Sequence, residues 1–215
     1  MPGGLNGTES LFEAMATQRA IRKFWPDPVP EELLWRVLEA ATRAPSGSNS
    51  QPWAFVVIRD EAQRRTISEA LAHHLEENEG LRTYFERGAE SEDRSQRLML
   101  GGALKLARDL ASAPALIIPC LYPSRSESLA AGSSIYPAVQ NLLLAARGVG
   151  LGTVLTTFHT GIDKELREML GLPDDARPVA LIPIGFPDAN FGPNRRRPVE
   201  EVVHWGRWGV SQRKG

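Results

Sequence analysis

Apolar residues along this chain recur first at helical and then at strand spacing, and the alternation predicts a mixed architecture. Leu11, Phe12 and Met15 fall at helical intervals within residues 10–18 and predict a short amphipathic helix. Pro26, Pro28 and Pro30 then break the chain, and the last of them stands where a helix can begin. Over residues 31–43, Leu33, Leu34, Val37, Leu38 and Ala41 share one helical face, and Pro45 stops the run. A polar loop at 46–52 follows. Trp53–Ile58, rich in aromatic and β-branched residues, then reads as a buried strand.

Glu61–Glu77 carries a helical pattern, whereas 78–94 is charged, contains Gly80 and Gly88, and has no clean period. That stretch reads as a mobile cover or a helical excursion. A helix over 98–110, a strand over Ala115–Leu121 and a polar loop over 122–132 come next. Ile135, Val139, Leu142, Leu143 and Ala146 give the strongest helical period in the chain, ended by Gly148 or Gly150. A short strand over 153–157, a helix over Asp163–Leu170 closed by Gly171 and Pro173, and a last core strand over 179–184 complete the pattern. The tail, 188–215, has Pro, Arg and Trp but no core-forming pattern, and is expected to wrap over its own subunit or a partner. Four strands interleaved with helices, without a regular βαβ rhythm, predict an α+β fold in one domain over 1–215.

The hydrophobic fraction of 42% over 215 residues is enough for one real core. A net charge of −1 with interspersed signs gives no sign of a nucleic-acid surface or a polybasic membrane patch. Of the 25 basic residues, 21 are arginine, a side chain suited to bidentate phosphate binding. Cys120 is the sole cysteine, so an intrachain disulfide or a multi-thiolate zinc site is excluded. The first residues are polar, without an apolar signal core, and the apolar run at 113–122 is about half a membrane span and carries two prolines. The expectation is a soluble cytoplasmic protein.

Four segments carry candidate chemistry. In Gln18-Arg19-Ala20-Ile21-Arg22, two arginines three apart at a helix end can reach one anion, although a solvated helix terminus is the favoured reading of this segment by itself. The loop Pro45-Ser46-Gly47-Ser48-Asn49-Ser50-Gln51-Pro52 is stiffened by prolines and dense in neutral hydrogen-bonding groups, which suits a sugar-alcohol chain or the polar edge of a ring. Gly150-Leu151-Gly152 leads into Leu155, Thr156 and Thr157, but no Gly-x-Gly-x-x-Gly with a following helix is present. Arg195, Arg196 and Arg197 form a basic run in the tail that reads by itself as a solvated surface. Adjacent His73 and His74 do not make a metal pair, no Gly-x-Ser-x-Gly elbow exists, and Cys120 reads as a core residue.

In this order, the segments resemble the nitroreductase family, most specifically in the Pro-Ser-Gly-Ser-Asn-Ser-Gln-Pro-Trp loop, with Gln140-Asn141-Leu142-Leu143-Leu144 and the Arg-Arg-Pro-Val-Glu-Glu tail in support. The resemblance implies an α+β homodimer with a central antiparallel or mixed sheet flanked by helices, FMN at the subunit interface and the C-terminal extension around the partner. It implies that Gln18, Arg19 and Ala20 occupy the phosphate segment, and that Arg19 and Arg196 bind the phosphate with Arg195 or Arg197 as helper. It places Arg22 at the pyrimidine edge of the ring, and Pro45, Ser46, Gly47, Ser48 and Asn49 on the flavin from the partner subunit. Leu155, Thr156 and Thr157 meet the ring's other edge. Where the family often shows Arg-Arg-Ser this chain has Gln18-Arg19-Ala20, and an acid–Tyr–Lys lid set of the dehalogenating relatives is not recognisable. The implied activity is a ping-pong transfer from NADH or NADPH through FMN to a small nitroaromatic, quinone or similar acceptor, with no separate catalytic residue and no metal. Reductive dehalogenation or dehydrogenation of a specific metabolite is the alternative reaction, and flavin sequestration without turnover the alternative class.

Overall fold

The computed structural model describes residues 7–124 and 129–212. In chain order the elements are α1 (Leu11–Thr17), α2 (Glu31–Ala41), β1 (Trp53–Ile58), α3 (Glu61–Glu77), α4 (Glu79–Ala89) and α5 (Arg94–Arg108). They continue with β2 (Ala115–Leu121), α6 (Leu129–Gly148), β3 (Gly152–Thr153), α7 (Asp163–Leu170), β4 (Arg177–Pro178) and β5 (Ile182–Gly185). Side-chain caps fix several helix starts: Ser10, Asp60, Asn78 and Asp93 each accept a hydrogen bond from a first-turn backbone N–H. Gly171, at φ 59°, closes α7 in the left-handed region.

The sheet runs β1-β2-β5-β3, with β4 on β2, and every pair of named strands is antiparallel. β2 lies inside it with all seven residues buried, and its side chains alternate between two cores. Leu116, Ile118 and Cys120 pack toward α3, α5 and α7, while Ala115, Ile117 and Leu121 pack toward α2 and α6. Each such Leu or Ile contributes about 1.5–3 kcal/mol by leaving water, so the two-sided β2 anchors the fold. The α+β expectation holds.

Several local expectations are corrected. The stretch 78–94 is not one of them, since its helical reading is met by α4: Asn78 caps the start, Leu81, Tyr84, Phe85 and Gly88 recur at helical spacing, and Gly88 lets α4 lie directly on Leu100 of α5. The strand expected over 153–157 shrinks to β3, followed by an isolated bridge between Thr156 and Leu181. The strand expected over 179–184 shortens and shifts to β5, and β4 lies just before it at Arg177–Pro178, so the described residues hold five strands rather than four. The 122–132 loop is shortened by α6, and its residues 125–128 lie outside the described residues. In α1 the expected apolar face points outward, with Leu11 and Phe12 exposed and Ala14 buried instead. Among the described residues no helix is long and apolar enough to cross a membrane.

Candidate functional site

The chain's first and last segments meet at one corner. After α1 ends at Gln18, the backbone runs extended, with Ala20 bridged in parallel to Thr153 and the Ile21 N–H donating to the Thr153 carbonyl at 3.0 Å. Ile21 is buried on bare Gly152, where a Cβ would sit 2.6 Å from Ile21 Cγ2. From the tail, Asn194 donates its backbone N–H to the Ala16 carbonyl (2.8 Å) and its side-chain amide to those of Met15 (2.7 Å) and Gln18 (3.3 Å). These are last-turn carbonyls of α1, so one asparagine satisfies the helix end and fixes the tail beside it. Arg147 of α6 supports the same corner. Its Nε donates to Thr17 Oγ1 at 2.8 Å, and its guanidinium carbon lies 4.2 Å from the Phe191 ring centroid.

The result is a concentration of positive charge. Arg19 approaches Gly192, where a Cβ would be 3.7 Å from Arg19 Nη1. Arg22 is half-buried with its stem on Gly102 of α5; a Cβ there would lie 3.3 Å from Arg22 Cδ. Burial first, and the charge of Arg19 second, hold the Arg22 guanidinium below its ordinary pKa. Arg195, Arg196 and Arg197 are exposed, and Arg196 donates to the Arg195 carbonyl at 2.8 Å. Among the described residues none of these five arginines has a carboxylate within 4.0 Å. Two mutually repelling guanidiniums without a counterion favour an anion between them.

The polar loop is built on α6. The Gly47 N–H donates to Ser134 Oγ at 3.1 Å, the Gln51 N–H to Ser46 Oγ at 2.9 Å, and the Gln51 amide to Asn49 Oδ1 at 3.3 Å. Ser48, Asn49 and Gln51 have φ of 51°, 53° and 49°, left-handed values that cost non-glycine residues about 1–3 kcal/mol each in strained sites. Pro45, Gly47, Ser48 and Asn49 are exposed, and Ser46 is half-buried. Ser134, which gave no signal in the sequence, is therefore the support of this loop.

At the strand end the three expected residues separate. Thr156 turns inward, with both its N–H (3.2 Å) and its hydroxyl (2.7 Å) donated to the Leu181 carbonyl. Its hydroxyl is thus bonded within the sheet. Leu155 and Thr157 are exposed beside it. Beyond them, the Phe158 ring meets Phe85 of α4 edge-on at 6.5 Å, and His159 is buried. Burial keeps His159 below its ordinary pKa against the opposing effects of Asp163 and of the Pro178 backbone. Hydrogen bonds thus unite the 18–22 segment, β3 and the tail, and separately tie the 45–49 loop to α6.

The sequence model of the Nitroreductase family matches residues 15–186. The chain belongs to that family. A "NADH dehydrogenase" of Thermus thermophilus is 36% identical over 199 residues, covering 89% of this chain and 94% of that protein. An "Iodotyrosine deiodinase" of Nematostella vectensis is 30% identical over 201 residues, covering 90% of this chain and 74% of its own length. Among solved structures, the FMN-dependent nitroreductase NfnB of Mycobacterium smegmatis, in complex with NADPH, superposes with a TM-score of 0.70 at 26% identity. The superposition covers 92% of this chain and 100% of that one. The arginine corner crosses the C-terminal boundary of the nitroreductase match, since Arg19 and Arg22 lie within it and Asn194 and the tail arginines follow residue 186. Cys120 stands apart from it: burial pushes the thiol up to about 11, consistent with its place in β2. Among the described residues no group of three or more His, Cys, Asp or Glu side chains is arranged to hold a metal ion.

Proposed function

We propose that this protein is an FMN-dependent oxidoreductase of the cytoplasm, accepting hydride from NADH or NADPH and reducing nitroaromatics, quinones or similar electron-poor compounds. The observation that carries this reading is the counterion-free corner of Arg19, Arg22 and the tail arginines, which fits a phosphate-bearing cofactor. Arg19 and Arg196 hold the phosphate, with Arg195 or Arg197 assisting and the Gln18 amide nearby. Ala20 supplies backbone rather than a hydroxyl at that segment. Arg22 lies at the ring's pyrimidine edge, where its charge offsets the negative charge that reduction brings. Leu155, Thr156 and Thr157 border the opposite edge. FMN, when bound, supplies the hydride-accepting ring, so no protein acid, base or nucleophile is required.

Pro45, Ser46, Gly47, Ser48 and Asn49 serve the flavin of a second subunit in a homodimer. Support comes from the outward apolar surface of α1 and the tail, where Phe12 is 81% and Trp208 89% exposed. The likeness to iodotyrosine deiodinase favours reductive dehalogenation as a second reading. The purified protein is expected to be yellow and to oxidise NAD(P)H when a quinone or nitro compound is added; a colourless protein that gains no flavin from added FMN refutes the proposal. Bound FMN that NAD(P)H leaves oxidised identifies a sequestering protein instead, and turnover confined to halotyrosines selects the dehalogenase.

A further inference from the structure

The apolar residues of α5 divide into two sets. Leu100, Leu104, Leu106 and Ala107 are buried, as an amphipathic helix requires. Leu98 and Met99 are not; they remain 57% and 49% exposed. Leu98 precedes Gly102 by four residues and Met99 by three, so all three share one helical face, with neighbouring Cβ positions about 5–6 Å apart. That face already carries Arg22, whose stem rests on the bare backbone of Gly102. Leu100 points the other way, into Gly88 of α4. The half-buried guanidinium is therefore bordered by a two-residue apolar patch on the same helix, while the buried side of that helix is filled by the core.

We propose that Leu98 and Met99 form the wall of the acceptor site and select flat, apolar ring compounds over small polar oxidants. The assignment rests on the proposed FMN site, because Arg22 at the ring edge is what makes the adjoining patch a boundary of the substrate space. A flat ring lying against this wall covers both side chains, whereas a small hydrated oxidant gains nothing from them. The flexible thioether of Met99 adapts to rings of different outline, which fits a choice by shape and polarity rather than by a specific hydrogen bond. No donor or acceptor on this pair fixes a substituent.

The test uses the FMN-loaded full chain with saturating NAD(P)H and two acceptors, 2-methyl-1,4-naphthoquinone and ferricyanide. The variants are the double substitution Leu98→Ser with Met99→Ser, and the control Trp35→Ser, which removes an equally exposed apolar side chain (57%) from α2. The quantity read is the ratio of kcat/KM for the quinone to that for ferricyanide, together with the sedimenting mass. The double variant is expected to lower the ratio about tenfold or more at unchanged mass, the loss associated with uncovering two apolar side chains. The control should stay within about twofold. An unchanged ratio, or an equal fall in the control, overturns the assignment. So does any change of mass in the double variant, which gives the patch to a subunit contact. Failure of the underlying FMN reading is separately visible, because the unsubstituted protein would then lack flavin and turn over neither acceptor.

Discussion

Replacing Arg19 with glutamine changes two energies of opposite sign, and the structure says how each should move. Arg19 has no carboxylate partner within 4.0 Å, and its charge contributes to holding the Arg22 guanidinium below its ordinary pKa. Before the cofactor binds, removing that charge therefore relieves repulsion and breaks no ion pair, so the apoprotein should melt at the same temperature or slightly higher. With FMN present, a charge-assisted hydrogen bond to phosphate is lost, worth about 1.5–3 kcal/mol, or roughly 10- to 150-fold in Kd. Arg19 is exposed, so solvent screening points to the lower end, about tenfold. Titrating apoprotein with FMN and following flavin fluorescence gives the Kd, and melts with and without FMN give the two stabilities. Salt should weaken FMN binding more steeply in the unsubstituted protein than in the variant. A Kd within twofold of the original, or an apoprotein variant that melts several degrees lower, would refute the assignment of Arg19 to the phosphate.

Two further outcomes test the surrounding structure. His159 is held below its ordinary value of 6.5 chiefly by burial, so its neutral form contributes stability that is full above that value and lost as pH falls through the lower folded one. Melting temperature should drop from about pH 7 to pH 5, and His159→Gln should flatten the profile; identical slopes would reject the argument. At Gly88, a Cβ would lie 2.7 Å from Leu100 Cβ, so Gly88→Val should cost about 1–3 kcal/mol in urea unfolding. Leu100→Ala in the same chain should recover part of that loss, and strict additivity would show that the two helices do not meet as described.

What the residue pattern revealed depended on whether local signals and tertiary contacts agreed. β1, α3, β2 and α7 lie where their patterns place them, because each has a self-sufficient signature: an apolar run, or a helix bounded by a cap such as Asp60 or Gly171. α4 was harder to place: it has the Asn78 cap and the helical spacing of Leu81, Tyr84, Phe85 and Gly88, but Gly80, Gly88 and the surrounding charge obscure them, and the contact of Gly88 with Leu100 exists only in three dimensions. From residue pattern the arginine corner was legible only as two basic segments, and as one place only through the family resemblance, because Asn194 joins them through backbone carbonyls that any sequence would supply. Thr156 illustrates the reverse limit. Its type suits a ligand donor, and only the Leu181 carbonyl reveals where its hydroxyl goes. Ser134 and His159 were invisible for the same reason, each acting on a segment distant in sequence or on backbone.

The bond between Asn194 and Met15 spans 179 residues of chain. During synthesis, then, the N-terminal helix and its arginine wait for nearly every later residue before their anion corner exists. At about 5–20 residues per second this delay is on the order of ten seconds or more, during which the sheet has time to assemble. On the proposed assignment, phosphate capture is consequently a late event on the ribosome's timescale. A phosphate-bearing molecule that depends on this corner reports that both ends have arrived, and cannot guide the folding of what lies between them.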